Sequence, residues 1–355
     1  MPIRIWLLTA GLSCCAQYAA IQPAPRVELP AVIDGNTAAM WANGELHIFH
    51  SSGVPTRSKG ADQFNLFNTE NIDFNGTDHK PVWFESAWRD EDGTLFLWYH
   101  HEPGGVCPGS DLTAPKIGAA ISRDNGKTIE DLGIILETGD PINCSAENGF
   151  FAGGHGDFSV IPDRDNKYFY FYFTNYNGDL SEQGVAVARL AFADRFQPAG
   201  AVFKYHLGDW TQPGRGGHMS PLFPASISWR ESDANSYWGP SIHWNKSLER
   251  YVILLNQTCC FPGWPQVGIY ASYSQDLVNW SKPQLVLAKN SIPYGPAYYP
   301  QVLGLQPGET DSFAGATARL YVHGISLWEI SFSHDAPEPE PEVCPEAAAP
   351  GCPDW

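Results

Sequence analysis

The sequence predicts an all-β fold, a five-bladed β-propeller, and three observations carry that reading. A hairpin layout recurs. In residues 154–175 the acidic Asp157 enters a strand, the chain turns at Asp163 to Asn166, and an aromatic strand, Tyr168 to Phe173, returns. Residues 83–99, 238–255 and, more weakly, 34–49 repeat this order. A hairpin returning at intervals of roughly 50 to 80 residues is the mark of one four-stranded sheet per copy, set around a ring. The second observation is the lack of any convincing amphipathic helix, together with 34 Gly and 29 Pro, which punctuate strands and turns. The third is that aromatic residues reach 13% while charged residues are only 17%, which suits short strands packing ring against ring.

Taken in order, residues 1–20 read as an export signal: Arg4, an apolar run over 5–12, then small residues over 13–16. The run is too short to span a bilayer. Two outcomes stay open. Cleavage near Ala16 or Ala20 releases a secreted or periplasmic protein, whereas Leu12-Ser13 ahead of Cys14-Cys15 resembles a poor lipoprotein site that would leave the chain lipid-anchored at the cell surface. Residues 21–30 are a Pro-rich lead-in without helical period. The propeller domain then occupies residues 31–333, with blades at about 31–75, 80–138, 150–205, 235–288 and 295–333. Residues 117–128, 184–194 and 267–280 each give a Gly, an apolar strand and an acidic turn. The first and last blades are thin, so ring closure is expected to be shared between the termini. Residues 334–355, rich in Pro, Glu and Ala, form an extended or disordered tail.

The formal charge of −18 argues against nucleic acid and anionic membranes as partners, since phosphate binding draws on Lys and Arg clusters. A neutral substrate fits better. No further stretch is long and apolar enough to span a membrane. Of eight cysteines, Cys14 and Cys15 belong to the leader. The other six suit disulfides in an oxidising compartment, paired as Cys107 with Cys144 and Cys344 with Cys352. Adjacent Cys259 and Cys260 rarely bridge and are expected to pair elsewhere or stay buried. No Cys-x-x-Cys spacing occurs, so no structural zinc is expected and no metal ligands are assigned.

In a propeller the first strand of each blade lines the axis, so its leading residues face the pocket. Here these are Asp34 and Asn36, Glu85, His155 and Asp157, Trp238 to His243, and Tyr299 with Gln301. Carboxylates converging from separate blades repel one another, which raises a pKa as acid–base hydrolysis requires. Each residue also has a bland reading: Asp34 as a turn cap before Gly35, Asp157 as a turn residue, Glu85 as a paired charge in an aromatic strand, His243 as a bonded core histidine and His155 as a loop residue. The segments His100-His101-Glu102 and Arg215 to His218 fall in loops after blades, which edge the pocket in one reading and are solvated in the leading one. Trp83, Trp88, Trp238 and Trp244 suit sugar stacking or packing between blades.

On this blade layout the chain resembles the five-bladed-propeller glycoside hydrolases, the broad group of family 43 arabinanases and β-xylosidases, invertase-like fructosidases and neoagarooligosaccharide hydrolases. Ser122-x-Asp124-x-Gly126-x-Thr128 likewise matches the Asp-box turn of sialidases and related propellers, a hairpin brace without catalytic meaning. The resemblance implies that Asp34 is base or nucleophile and that Asp157 orients substrate and tunes pKa. It also implies an acid opening the fourth blade, where this chain reads Trp238-Gly239-Pro240 in place of Glu-Gly-Pro. Glu85 is the natural substitute for the missing acid, followed by His243 or His155. Asn36, His155, Trp88, Trp238, Tyr299 and Gln301 are the expected substrate contacts. No cofactor is required, and a divalent cation in the central channel, held by a His and waters, is compatible. The expected function is hydrolysis of a polysaccharide or oligosaccharide, with a non-catalytic carbohydrate-binding propeller and a surface protein-interaction module as alternatives.

Overall fold

The computed structural model describes residues 18–295 and 297–334. Five sheets follow one another along the chain and close into a ring, one in each expected blade. The innermost strands are Ala38–Ala42, Val82–Arg89, His155–Pro162, Ser236–Asn245 and Pro300–Gly304. From each, the sheet runs outward by antiparallel neighbours. The second, third and fourth sheets gain short extra strands.

The aromatic strand Tyr168–Asn175 shows how sequence period becomes packing. Side chains alternate between faces of a strand. Phe169, Phe171 and Phe173 therefore join Phe96, Trp98 and Ile121 between the second and third blades. Tyr170 and Tyr172 face the other way, onto Ile253 and Leu255 of the fourth blade, and the Tyr172 hydroxyl donates to Leu277 O at 2.6 Å. Each fully buried ring of this kind contributes roughly 2–3 kcal/mol of apolar transfer.

The fifth blade closes the ring. Residues 21–30, read above as a lead-in, lie largely in the strand Tyr18–Glu28, which pairs outermost on Ile325–Ser333 in register from Tyr18↔Ser333 to Glu28↔Ile325. Pro23 and Pro25 are tolerated because this is an edge strand with a register shift between Pro23 and Val27, where missing donors cost no ladder bond. Closure is thus shared between the two ends of the domain. The rest of the leader and the tail from residue 335, on which the expected pairing of Cys344 with Cys352 falls, lie outside the described residues. Among the described residues no helix is long and apolar enough to cross a membrane.

The Asp-box is a brace, as read. Ser122 Oγ accepts from Gly126 N at 2.8 Å, and Asp124 accepts from Thr128 N and Thr128 Oγ1 at 2.9 and 2.8 Å. Ser274, Asp276 and Asn279 build a second turn of the same kind. Cys107 and Cys144 are joined, with Cα atoms 5.4 Å apart and a sequence separation of 37. Adjacent Cys259 and Cys260 also bridge each other, against expectation. The Cys107–Cys144 link pins a long loop that ends in Phe150 and Phe151, and a chain-entropy estimate for a loop of this length is about 3–4 kcal/mol. The double variant Cys107→Ser/Cys144→Ser should lose that much in denaturant unfolding; an unchanged midpoint would show that the loop is held by its other contacts.

Apart from a short parallel pairing of Trp244 and Asn245 with Phe313 and Ala314, the inner strands meet the axis with one edge unpaired, and buried backbone groups need partners. Neighbouring blades supply them. Ser86 Oγ accepts from Val160 N at 2.9 Å and Ser159 Oγ from Ile242 N at 3.3 Å. Gln301 exchanges both bonds with the Thr37 backbone, at 2.6 and 2.9 Å. Asn36 Nδ2 donates to Phe158 O and Pro240 O at 2.8 and 2.7 Å, tying three blades together. These two carboxamides were expected to contact substrate. They are buried instead, and their amides staple the ring.

Candidate active site

Backbone irregularity aims the acids. The inner strands of the second, third and fourth blades shift register between Phe84 and Ser86, Gly156 and Phe158, and Trp238 and Ser241. A bulge leaves its extra residue out of the ladder and re-aims it. Glu85 and Asp157 are the residues released in this way, and Asp157 takes a φ of 41°, a left-handed conformation that costs a non-glycine residue on the order of 1 kcal/mol or more. In the first blade Asp34 precedes the inner strand, anchored by its N–H to Ser51 O at 2.6 Å. Gly35 follows at φ 151°, and a Cβ there would stand 2.7 Å from Ser51 Oγ and 3.2 Å from Glu85 Oε1. Only glycine allows the first blade this close to Glu85.

Glu85 is 1% exposed. Its Oε2 accepts from Phe158 N at 2.9 Å, and its Oε1 lies 3.1 Å from His100 Nδ1. The other nitrogen of His100 stands 3.3 Å from Glu102 Oε1. The Asp157 carboxyl accepts from the Tyr176 hydroxyl. Ligand atoms of Glu85, His100 and Asp157 all fall within 4.8 Å of one another. Asp34, by contrast, is exposed.

Burial and repulsion set the charge states. Burial pushes the Glu85 carboxyl well above the usual carboxylate range, helped by the Asp34 charge and opposed by the Phe158 N–H. Burial first, and the Glu85 charge second, raise Asp157 to about 7, against the lowering effects of His100 and Tyr176. Burial likewise raises Glu102. These groups hold protons where ordinary carboxyls have lost them. Glu85, His100 and Asp157 together offer two carboxyl groups and one imidazole, donors of the kind a divalent cation takes. Tyr176 O–H and Phe158 N–H already donate onto the two carboxyls, and each His100 nitrogen faces a carboxylate oxygen.

Beside the cluster, Asp157 and six rings line one cavity: Phe150, Phe151, Trp238, Trp264, Tyr298 and Tyr299. Trp238 and Tyr299 thus stand where substrate contacts were expected. The Nε1 of Trp238 is a buried donor without a protein partner. Other expected residues are elsewhere. Trp88 packs on Phe96, Phe169 and Phe192, with ring centroids 5.8, 5.3 and 5.1 Å away, between the second and third blades. His155 is buried with its ring 4.7 Å from Phe173, and burial drives its pKa well down. His243 lies further along its strand than the Trp238 bulge, buried 5.2 Å from Phe332. Neither imidazole reaches the cavity lining.

Burial lowers the His243 pKa to about 3 from 6.5. The unfolded chain therefore takes up this proton first, and stability is lost as pH falls from about 6.5 toward 3. His243→Leu should remove that loss, so its stability relative to wild type should improve by about 2 kcal/mol on going from neutral pH to about pH 5. Thermal unfolding across pH checks this, and a difference that stays constant with pH contradicts it.

Sequence reading missed Tyr176, Trp264 and the two Phe residues as site components, and ranked a pocket-edge position for His100 and Glu102 behind a solvated loop. His100 had been placed in a solvated loop, yet it belongs to the strand Leu95–His101 and is 3% exposed. The signal was available: hairpin register sets Trp83 opposite His100, next to the Glu85 bulge. Arg215 and His218 sit in ion pairs with Glu137 and Glu182, away from the cavity lining.

No protein-family profile matches the chain, and no curated protein matches it. Solved structures do. An endo-arabinase from Bacteroides thetaiotaomicron superposes with a TM-score of 0.50 at 11% identity, covering 86% of this chain and 95% of that one. A mutant alpha-L-arabinanase of Cellvibrio cellulosa gives 0.50 at 10% identity, covering 86% and 92%. At such identity the likeness is one of fold: the five-bladed propeller of this chain is similar to the fold of these two structures.

Proposed function

We propose that the chain is an exported glycoside hydrolase acting on a polysaccharide or oligosaccharide in the axial funnel. The single observation behind this reading is the convergence of Asp34, Glu85 and Asp157 from three blades, with Asp157 raised to about 7. Glycoside hydrolysis needs one ionised carboxylate and one protonated carboxyl near the same bond. Asp34, exposed at the mouth, is the base. Asp157 takes the acid role: it lines the cavity, and one carboxyl oxygen is held by Tyr176. Glu85 is enclosed behind it and acts by repulsion, so it is a positioning residue in place of the direct acid expected above. The Trp238 Nε1–H is free to bond a sugar hydroxyl. Export is supported by the leader pattern and by the Cys107–Cys144 bridge.

The test is reducing-end release across a panel of neutral oligosaccharides, with binding recorded in parallel. Release from at least one member is expected. Binding without release anywhere on the panel would favour the carbohydrate-binding alternative, for which Trp238 in place of a carboxylate is the specific support. On a cleaved substrate, Glu85→Gln should move the pH limb of kcat/KM that belongs to Asp157 downward, because a neutral neighbour no longer repels the Asp157 charge. An unmoved limb would detach Glu85 from the mechanism.

A further inference from the structure

The cavity beside Asp157 is short of positive charge. Six of its seven lining residues are aromatic and the seventh is the Asp157 carboxyl. No Lys or Arg is among them. Seven cation–π contacts occur among the described residues, on Trp244, Tyr168, Trp210, Phe192, Phe96, Phe196 and Phe313, and none uses a ring of this cavity. Nor does any Lys or Arg form an ion pair with Asp157 among the described residues. The protein has gathered electron-rich rings around a buried carboxyl and kept Lys and Arg away from it.

The rings form two walls. Trp238, Tyr298 and Tyr299 meet at steep angles of 63°, 80° and 76°, with centroids 5.1 to 6.3 Å apart. Opposite in sequence origin, Phe150, Phe151 and Trp264 lie 5.4 to 6.3 Å apart and tilted by 38° to 43°. None of these six pairs is stacked face to face. Three are backed by a ring outside the lining: Tyr299 by His323, Phe151 by Tyr176 and Trp264 by Trp229. Aromatic rings gathered about one carboxyl attract weakly hydrated organic cations through the ring quadrupoles, joined by the carboxyl charge once Asp157 ionises above about 7.

We infer that this cavity binds a quaternary or multiply methylated ammonium group. The inference goes beyond hydrolysis and does not depend on it. A glycan bearing such a group would place its cation here and its sugar toward Asp34. A free cation would occupy the cavity and compete.

Titration calorimetry on the full chain tests this with choline, tetramethylammonium and the neutral isostere of choline in which carbon replaces nitrogen, at ionic strength matched with sodium chloride. Choline and tetramethylammonium should bind, and the isostere should bind at least about tenfold more weakly, the ratio expected of a desolvated cation–π site. Phe150→Ala, at a position 54% exposed, should weaken choline severalfold while the fold is kept, and Trp238→Leu should weaken it further. Equal binding of choline and its isostere would make the cavity merely apolar and overturn the inference. No binding of either cation would overturn it as well. Because the readout is binding, loss of the hydrolase reading would leave this result standing, and the converse also holds.

Discussion

Asp34→Asn should reduce kcat on a cleaved oligosaccharide by about a thousandfold while leaving the fold intact, as loss of a general base does. The two halves of this expectation come from different observations. Asp34 is exposed, and its recorded anchor is the backbone N–H to Ser51 O, which the substitution keeps. Stability should therefore change by no more than about 0.5 kcal/mol. Its charge also helps to hold Glu85 and Asp157 protonated, so the variant loses the base and weakens the acid. Initial rates and a thermal melt of the same preparation check both halves. Full activity would remove Asp34 from the chemistry, and an unfolded variant would make it structural.

Asp157→Asn should abolish turnover and reshape the pH dependence of stability. The folded pKa of about 7 lies above the ordinary value of 3.8. Between those values the folded state holds a proton that the unfolded state has released. Stability thus falls as pH rises from about 4 to about 7, by on the order of 4 kcal/mol for a shift of this size. The Asn variant lacks this term and can still accept from Tyr176. It should match wild type near pH 4 and be the more stable protein near pH 8. Asp311, also buried and raised to about 7, contributes the same sign in both proteins, so only the difference between them reports Asp157. Melts at the two pH values decide the matter, and a difference independent of pH would mean that Asp157 ionises normally.

Much of the ring was legible because its causes are local. Alternation in Tyr168 to Phe173, turn residues at Asp163 to Asn166 and the Ser122 to Thr128 brace each act within a hairpin, so the sequence carries them directly. The closing strand was not, since nothing in Tyr18–Glu28 announces a partner some 300 residues away at Ile325–Ser333; its prolines suit an edge and so read as a lead-in. Inward-facing position was legible as well, but the task at that position was not. Asn36 and Gln301 face the axis as expected, yet the unpaired edges of neighbouring inner strands claim their amides. His100 became visible only through cross-strand register with Trp83. Trp264, Phe150 and Phe151 come from loops, whose approach to the axis no local pattern encodes, even though the Cys107–Cys144 pairing beside the two Phe residues was legible.

The most direct measurement is a carbon NMR titration of the side-chain carboxyls, with Asp157 and Glu85 assigned through Asp157→Asn and Glu85→Gln. Convergence in one enclosed funnel predicts an Asp157 midpoint near 7 that falls when Glu85 is made neutral. Midpoints for both residues at the ordinary values of about 3.9 and 4.3, each indifferent to the other's substitution, would contradict it.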